Sequence, residues 1–283
     1  MIPKLNQRVT SGVIIGAAFL CALFWAPHWV AWLILSVLCA LSSLEFYAML
    51  DAAHIPNFRI MGTLGGLLLI AATSYQLTQS PGSAFHIESA VIFLLTAGVF
   101  LRQFPQKNNT QPLETIGGTL LGFLYTAFLL NFIGKILFTW GNLEGRLLIL
   151  YFVSVVKFTD IGAFFVGCSF GKHKLIPRIS PAKTWEGLFG GVASGVLVSL
   201  LFLAATRGSL GGIHMTLRDA CVLGILLPLC GVLGDLTESL FKRAAGVKDS
   251  GQLIRGMGGL LDVLDSLLFA APVVYIYGSL FWS

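Results

Sequence analysis

Asp235 and Glu238 stand three residues apart, and so do Asp262 and Asp265. On a helix that spacing puts the two members of each pair on one face. Both pairs sit at the edges of apolar runs, in "GVLGDLTESLFKR" and "GGLLDVLDS". A charge at membrane depth costs about 2.5–3.5 kcal/mol on insertion scales, so it persists where it faces a polar cavity, pairs, or holds an ion. Two helix ends offering carboxylates suit a hard cation bound through oxygen. Asp235 and Asp262 are the first candidates for metal ligands, with Asp265 in support. The competing reading is assembly, in which these acids only pair with Lys157, Lys242 or Arg243. Asp160 is a weaker candidate, and its expected partner is Lys157, one turn earlier in "VVKFTDIGAFFVG".

Two basic loops accompany these acids. "GKHKLIPRISPAKTWEGLFGG" carries Lys172, Lys174, Arg178 and Lys183, with a helix start expected near 183–187. "SLFKRAAGVKDSGQLIRGMGG" carries Lys242, Arg243, Lys248 and Arg255, with Gly251, Gly256, Gly258 and Gly259. Lysines and helix N-termini favour a phosphoryl group, and glycine lets a backbone come close to it. No GxxxxGK[ST] is present, so this is not a Walker A loop. Basic loops also attract anionic headgroups, but that alone needs no carboxylates beside them. Cations with buried acids point to a metal-bound polyphosphate, the cations on its oxygens and the carboxylates on Mg²⁺. Ser180, Thr184, Glu186 and Asp249 each carry two readings: a substrate contact, or a cap, dipole partner or turn residue. His173 reads as a solvated loop residue.

The elements that must position these groups are membrane helices. Only 11% of the 283 residues are charged and 56% are hydrophobic, against about 25% charged in a soluble domain. Mean hydropathy is +0.84. Apolar runs of about 20 residues, without the alternation of a barrel, predict an all-α polytopic protein. About nine transmembrane helices are expected, near 9–26, 29–50, 60–79, 86–104, 114–134, 146–167, 187–206, 219–240 and 259–281. The N-terminal run is read as a retained first helix, since no convincing cleavage site follows it. Most Lys and Arg fall on the N-terminal side. The opposite loops hold only Lys135, Arg146, Arg207 and Arg218. The positive-inside rule then makes the N-terminus cytoplasmic.

Residues 1–145 read as scaffold, with possible lipid access, and 146–283 as the catalytic region. Glu45, Glu88 and Glu114 in the first part read as structural. Gly65–Gly66 and Gly117–Gly118 fit close helix packing. The five cysteines have no CxxC spacing and read as small buried hydrophobes. The bilayer is a partner, nothing calls for a nucleic acid, and a homodimer is left open.

The second half resembles the phosphatidate cytidylyltransferase, or CDP-diacylglycerol synthase, family. The resemblance rests on Ser239, Lys242, Arg243, Lys248, Asp249, Gly258, Gly259, Asp262 and Asp265 at the family's spacing, and on the upstream block from Asp160 to Gly191. It implies transfer of CMP from CTP to phosphatidate with Mg²⁺, at the cytoplasmic face of a bacterial inner membrane. Taken with the reading of the acids and basic loops above, Asp235, Asp262, Lys242 and Arg243 are the expected catalytic residues. Substrate contacts fall to Lys172, Arg178, Ser180, Lys183, Glu186, Lys248, Asp249, Arg255, Gly258 and Gly259. Three positions depart: Met257 stands where the family has His, Val263 where it has Arg, and Arg255 where it has Pro or Gly. Arg255 is expected to replace the cation lost at Val263. Arg255→Ala should then raise KM for the nucleotide, and an unchanged KM would sink the idea. The residues by themselves leave open a CTP-dependent lipid kinase, a cytidylyltransferase for another lipid phosphate, and an ion-coupled transporter.

Overall fold

The computed structural model describes residues 2–79, 84–107, 109–254 and 258–282; Arg255, Gly256 and Met257 lie outside them. The helices are α1 (Ile2–Trp25), α2 (His28–Ala52), α3 (Arg59–Gln79), α4 (Ala84–Gln103), α5 (Pro112–Gly122), α6 (Leu129–Thr139), α7 (Asn142–Phe170), α8 (Trp185–Thr206), α9 (Leu217–Ala244) and α10 (Leu261–Phe281). A π-helical turn, Phe123–Phe128, joins α5 to α6. Each helical rod falls on one of the intervals expected from hydropathy. The reason is that hydrocarbon offers the backbone no partner, so an apolar span must close its own hydrogen bonds. Among the described residues, seven helices are long and apolar enough to cross a membrane. The first expected span supplies a shorter apolar stretch, Gly12–Trp25, and α4 is not among the seven.

The loops hold short hairpins that periodicity did not announce. β1 (Lys174–Ile176) pairs antiparallel with β2 (Ser180–Thr184), and β3 (Ser209–Leu210) with β4 (Ile213–His214). The basic loop after α7 is therefore a folded hairpin. α8 starts where expected, at Trp185, with the Thr184 hydroxyl accepting the Gly187 amide at 3.1 Å as its N-cap.

By packing, the chain forms two compact units, residues 1–135 with 241–264, and residues 136–240 with 265–283. In the first, the fully buried Phe46 ring lies 5.3 Å from that of Tyr125 and 5.2 Å from that of Phe241. Tyr125 belongs to the π turn, and Phe241 directly precedes Lys242. Nearby, Tyr47 Oη donates to Thr119 O at 2.8 Å, tying α2 to α5.

The same unit buries an ion pair. Glu88 accepts from Lys135 Nζ at 2.7 Å through Oε2, and from Thr73 and Asn131 at 3.1 Å through Oε1. Lys135 thus lies inside α6, 7% exposed, rather than in a loop. That removes one cation from the weaker side of the positive-inside comparison.

In the second unit α7 lies along α8 through a stripe of small residues. Gly187, Gly191 and Gly195 are buried on α8 at four-residue spacing. A Cβ on Gly191 would sit 3.1 Å from Ala163 Cβ and from Thr159 O. Small residues substitute for the hydrophobic drive that helix pairs lack in lipid, by letting backbones approach. Gly191→Leu is expected to force α7 and α8 apart, destabilising by about 1–3 kcal/mol or more. A melting temperature in detergent equal to wild type would contradict this packing.

Candidate phosphate and cation site

In the first unit the site is a loop held shut by two carboxylates. α9 ends at Ala244, and the chain returns to α10 at Leu261. Asp262, in the first turn of α10, uses both oxygens. Oδ1 takes Lys242 Nζ at 2.6 Å. Oδ2 takes the Ser250 and Gly259 amides at 2.9 and 2.7 Å, and Ser250 Oγ at 2.8 Å. The Lys242 and Asp262 side chains are 13% and 9% exposed. A pair this dry and this short is a charge-assisted bond, stronger than a surface ion pair.

The second carboxylate is Glu45, on α2. Its Oε1 accepts the Leu260 amide at 2.9 Å, and Oε2 the Leu261 amide at 2.8 Å and Ser250 Oγ at 3.3 Å. These amides are orphan donors at the start of α10. A Cβ on Gly251 or Gly259 would lie 2.6 Å from a Glu45 oxygen, and one on Gly258 would lie 2.5 Å from Asp262 Oδ2. Gly258 also has φ +100, a backbone that favours glycine. The close approach these glycines permit in the structure is therefore to Glu45 and Asp262. Ile254 and Gly258 exchange backbone hydrogen bonds at 2.9 and 3.1 Å. Arg243, Lys248 and Asp249 are exposed around this loop.

In the second unit a cavity of about 340 Å³ is lined by Asp160, Lys183 and Asp235, with Phe164, Leu188 and Val232 among its apolar walls. Lys183 Nζ lies 2.8 Å from Asp235 Oδ2, and Ser239 Oγ donates to Asp235 Oδ1 at 3.4 Å. Asp160 has the expected partner, Lys157, at 3.9 Å. Lys157 also donates to Ser266 Oγ at 3.5 Å. Asp265 is buried and accepts from Ser266 Oγ at 3.0 Å. Glu238 is fully buried. The two acid pairs read from spacing are therefore in unlike surroundings, each member with partners of its own.

The hairpin residues divide in the same way. Glu186 is tied to His173, by a 2.6 Å contact to Nδ1 and by accepting its amide at 3.2 Å, so it fastens α8 to the residue just before β1. His173, read as merely solvated, is exposed but bound to this acid. Ser180 opens β2 opposite Ile176, half-buried, while Lys172 and Arg178 are exposed.

Sequence reasoning missed Glu45 and Ser250 as parts of the site. The only sign of Glu45 was an isolated acid in an apolar run. Among the described residues, no three His, Cys, Asp or Glu side chains are gathered to hold a metal by themselves. Asp160 and Asp235 do bring carboxylate oxygens to the second-unit cavity. These are hard donors of the kind Mg²⁺ takes one or two of, filling its shell with water and phosphate oxygens.

Seven apolar helices of membrane length, with buried carboxylate–lysine pairs and exposed basic loops among the described residues, are those of an integral membrane protein. A model of the Cytidylyltransferase family matches residues 6–281, and the chain belongs to that family. A phosphatidate cytidylyltransferase of Haemophilus influenzae is 33% identical over 283 residues, covering 95% of this chain and 96% of that protein. One of Bacillus subtilis is 32% identical, covering 98% of each. A protein of Escherichia coli named only as uncharacterized protein YnbB is 33% identical, covering 89% of this chain and 80% of its own length.

Proposed function

We propose that the chain transfers CMP from CTP to phosphatidate, giving CDP-diacylglycerol and pyrophosphate. The observation that carries this reading is the likeness, over nearly the whole of both chains, to relatives named for that activity. A phosphate oxygen of phosphatidate attacks the α-phosphorus of CTP. A new P–O bond forms, the bond from the α-phosphorus to its bridging oxygen breaks, and pyrophosphate leaves with that electron pair. The nucleophile is already an anion, so the protein's task is positioning and charge neutralisation rather than strong base catalysis. Lys242, Arg243 and Lys248 are assigned to the triphosphate, and Asp249, Arg255, Gly258 and Gly259 are kept as further substrate-binding candidates. Lys172, Arg178, Ser180, Lys183 and Glu186 are assigned to the lipid phosphate or the nucleotide. Asp235, Asp262 and Asp265 are the carboxylates assigned to Mg²⁺, which would supply charge neutralisation on phosphate oxygens. The active site is assigned to the cytoplasmic face of the bacterial inner membrane.

The test supplies purified protein with α-labelled CTP, phosphatidate and Mg²⁺. Label should enter lipid and pyrophosphate should be released, and EDTA should stop both. CDP release would point instead to a lipid kinase. No lipid label from folded protein would refute phosphatidate as the acceptor.

A further inference from the structure

We infer that Glu45, far from the basic loops in sequence, is a positioning residue for the Lys242–Asp262 pair. The inference rests on the proposed function for its effect on turnover, but its structural half stands separately.

The argument begins with donors. Five donors of the loop that ends at α10 are held by the two acids: the amides of Ser250, Gly259, Leu260 and Leu261, and the Ser250 hydroxyl. Asp262 takes the first two amides, at 2.9 and 2.7 Å, and Glu45 the third and fourth, at 2.9 and 2.8 Å. Ser250 Oγ lies between the two acids, 2.8 Å from Asp262 and 3.3 Å from Glu45. One hydroxyl proton cannot serve both acceptors fully, so Ser250 couples them. The contacts of Asp262 thus follow from a loop whose other wall is the Glu45 carboxylate. Glu45 is 8% exposed, and its amide partners lie over 200 positions downstream. A buried acid accepting two backbone amides at a helix start is stabilised by the helix dipole as well as by the bonds. Its partners are the loop amides and Ser250, so its role is to fix the shape of the loop that aims Asp262.

The glycines supply a second, independent observation. The three nearest atoms to a Cβ built on Gly251 all belong to Glu45, its carboxyl group and Cγ, at 2.6, 2.9 and 3.3 Å. Glycine at 251 thus leaves room for the Glu45 carboxyl group.

The test uses the full chain in detergent, with hydrogen exchange of the peptide spanning 249–261 as one readout and turnover per folded molecule as the other. Glu45→Gln keeps the shape but weakens the acceptor. It should raise amide exchange at Leu260 and Leu261 about tenfold and lower kcat roughly ten- to a hundredfold, the penalty expected of a misaimed group. Glu45→Asp should recover part of both. Gly251→Ala should also depress kcat, and combining it with Glu45→Ala should add little further loss, because the clash has been removed. Unchanged exchange in Glu45→Gln would overturn the inference, as would faster exchange with wild-type kcat. Fully additive losses for Gly251→Ala and Glu45→Ala would overturn it too. If the wild-type chain shows no CTP-dependent lipid labelling, the functional reading fails. The exchange data then still decide whether Glu45 holds the loop.

Discussion

Asp262→Asn is expected to lower turnover by about a hundred- to a thousandfold, comparable to removing one preorganised electrostatic contact at a reacting centre. The amide is nearly isosteric, so the loop can still close around it. What it loses is the charge that pairs with Lys242 and one strong acceptor among the four donors that Asp262 satisfies. The measurement is α-label incorporation into lipid across a Mg²⁺ series, on protein that elutes as wild type does. A raised Mg²⁺ requirement would mark Asp262 as a metal ligand. A lowered kcat at unchanged Mg²⁺ requirement would mark it as the anchor of Lys242. Near-wild-type turnover would remove Asp262 from the mechanism altogether. Ser250→Ala removes one donor and no charge, and should cost much less.

The second large effect is on stability. Lys135→Met leaves the Glu88 carboxylate buried with Thr73 and Asn131 as its donors among the described residues. Breaking one side of a buried pair costs about 3–5 kcal/mol, because a desolvated charge is left behind. Replacing both members, Glu88→Leu with Lys135→Met, should restore most of that loss, since a well-packed apolar pair can match a buried ion pair. Melting temperature in detergent, or urea midpoints in mixed micelles, reads both. If the double variant is less stable than Lys135→Met alone, the pair is not the element that matters.

These cases show where the sequence is readable. The helices are legible because twenty apolar residues in lipid have few alternatives. Lys157 with Asp160 is legible because both lie on one helix within a turn. Lys135 was assigned to a loop because its span was ended at residue 134, and its partner Glu88 lies on another helix 47 positions away. The β1–β2 hairpin was hidden because strands of three and five residues are too short to show a period. Glu45 was read as structural, and it is, but its partners lie at the other end of the chain. No local pattern encodes a contact across 216 positions. From spacing alone the loop glycines point to phosphate. The structure gives them nearer neighbours in Glu45 and Asp262, which is a matter of tertiary placement rather than of spacing.

The glycine stripe of α8 has a consequence for handling the protein. Only 17% of the apolar window of that helix is buried within the chain, and Phe189, Leu197 and Leu201 are exposed along it. Its association with α7 depends on close van der Waals fit, which a short mobile alkyl tail can invade more readily than a bilayer lipid. Compact, short-tailed detergents should therefore inactivate the second unit before they unfold the first, while nanodiscs or long-chain maltosides preserve it. Choice of solubilising agent then becomes a variable of the assay itself.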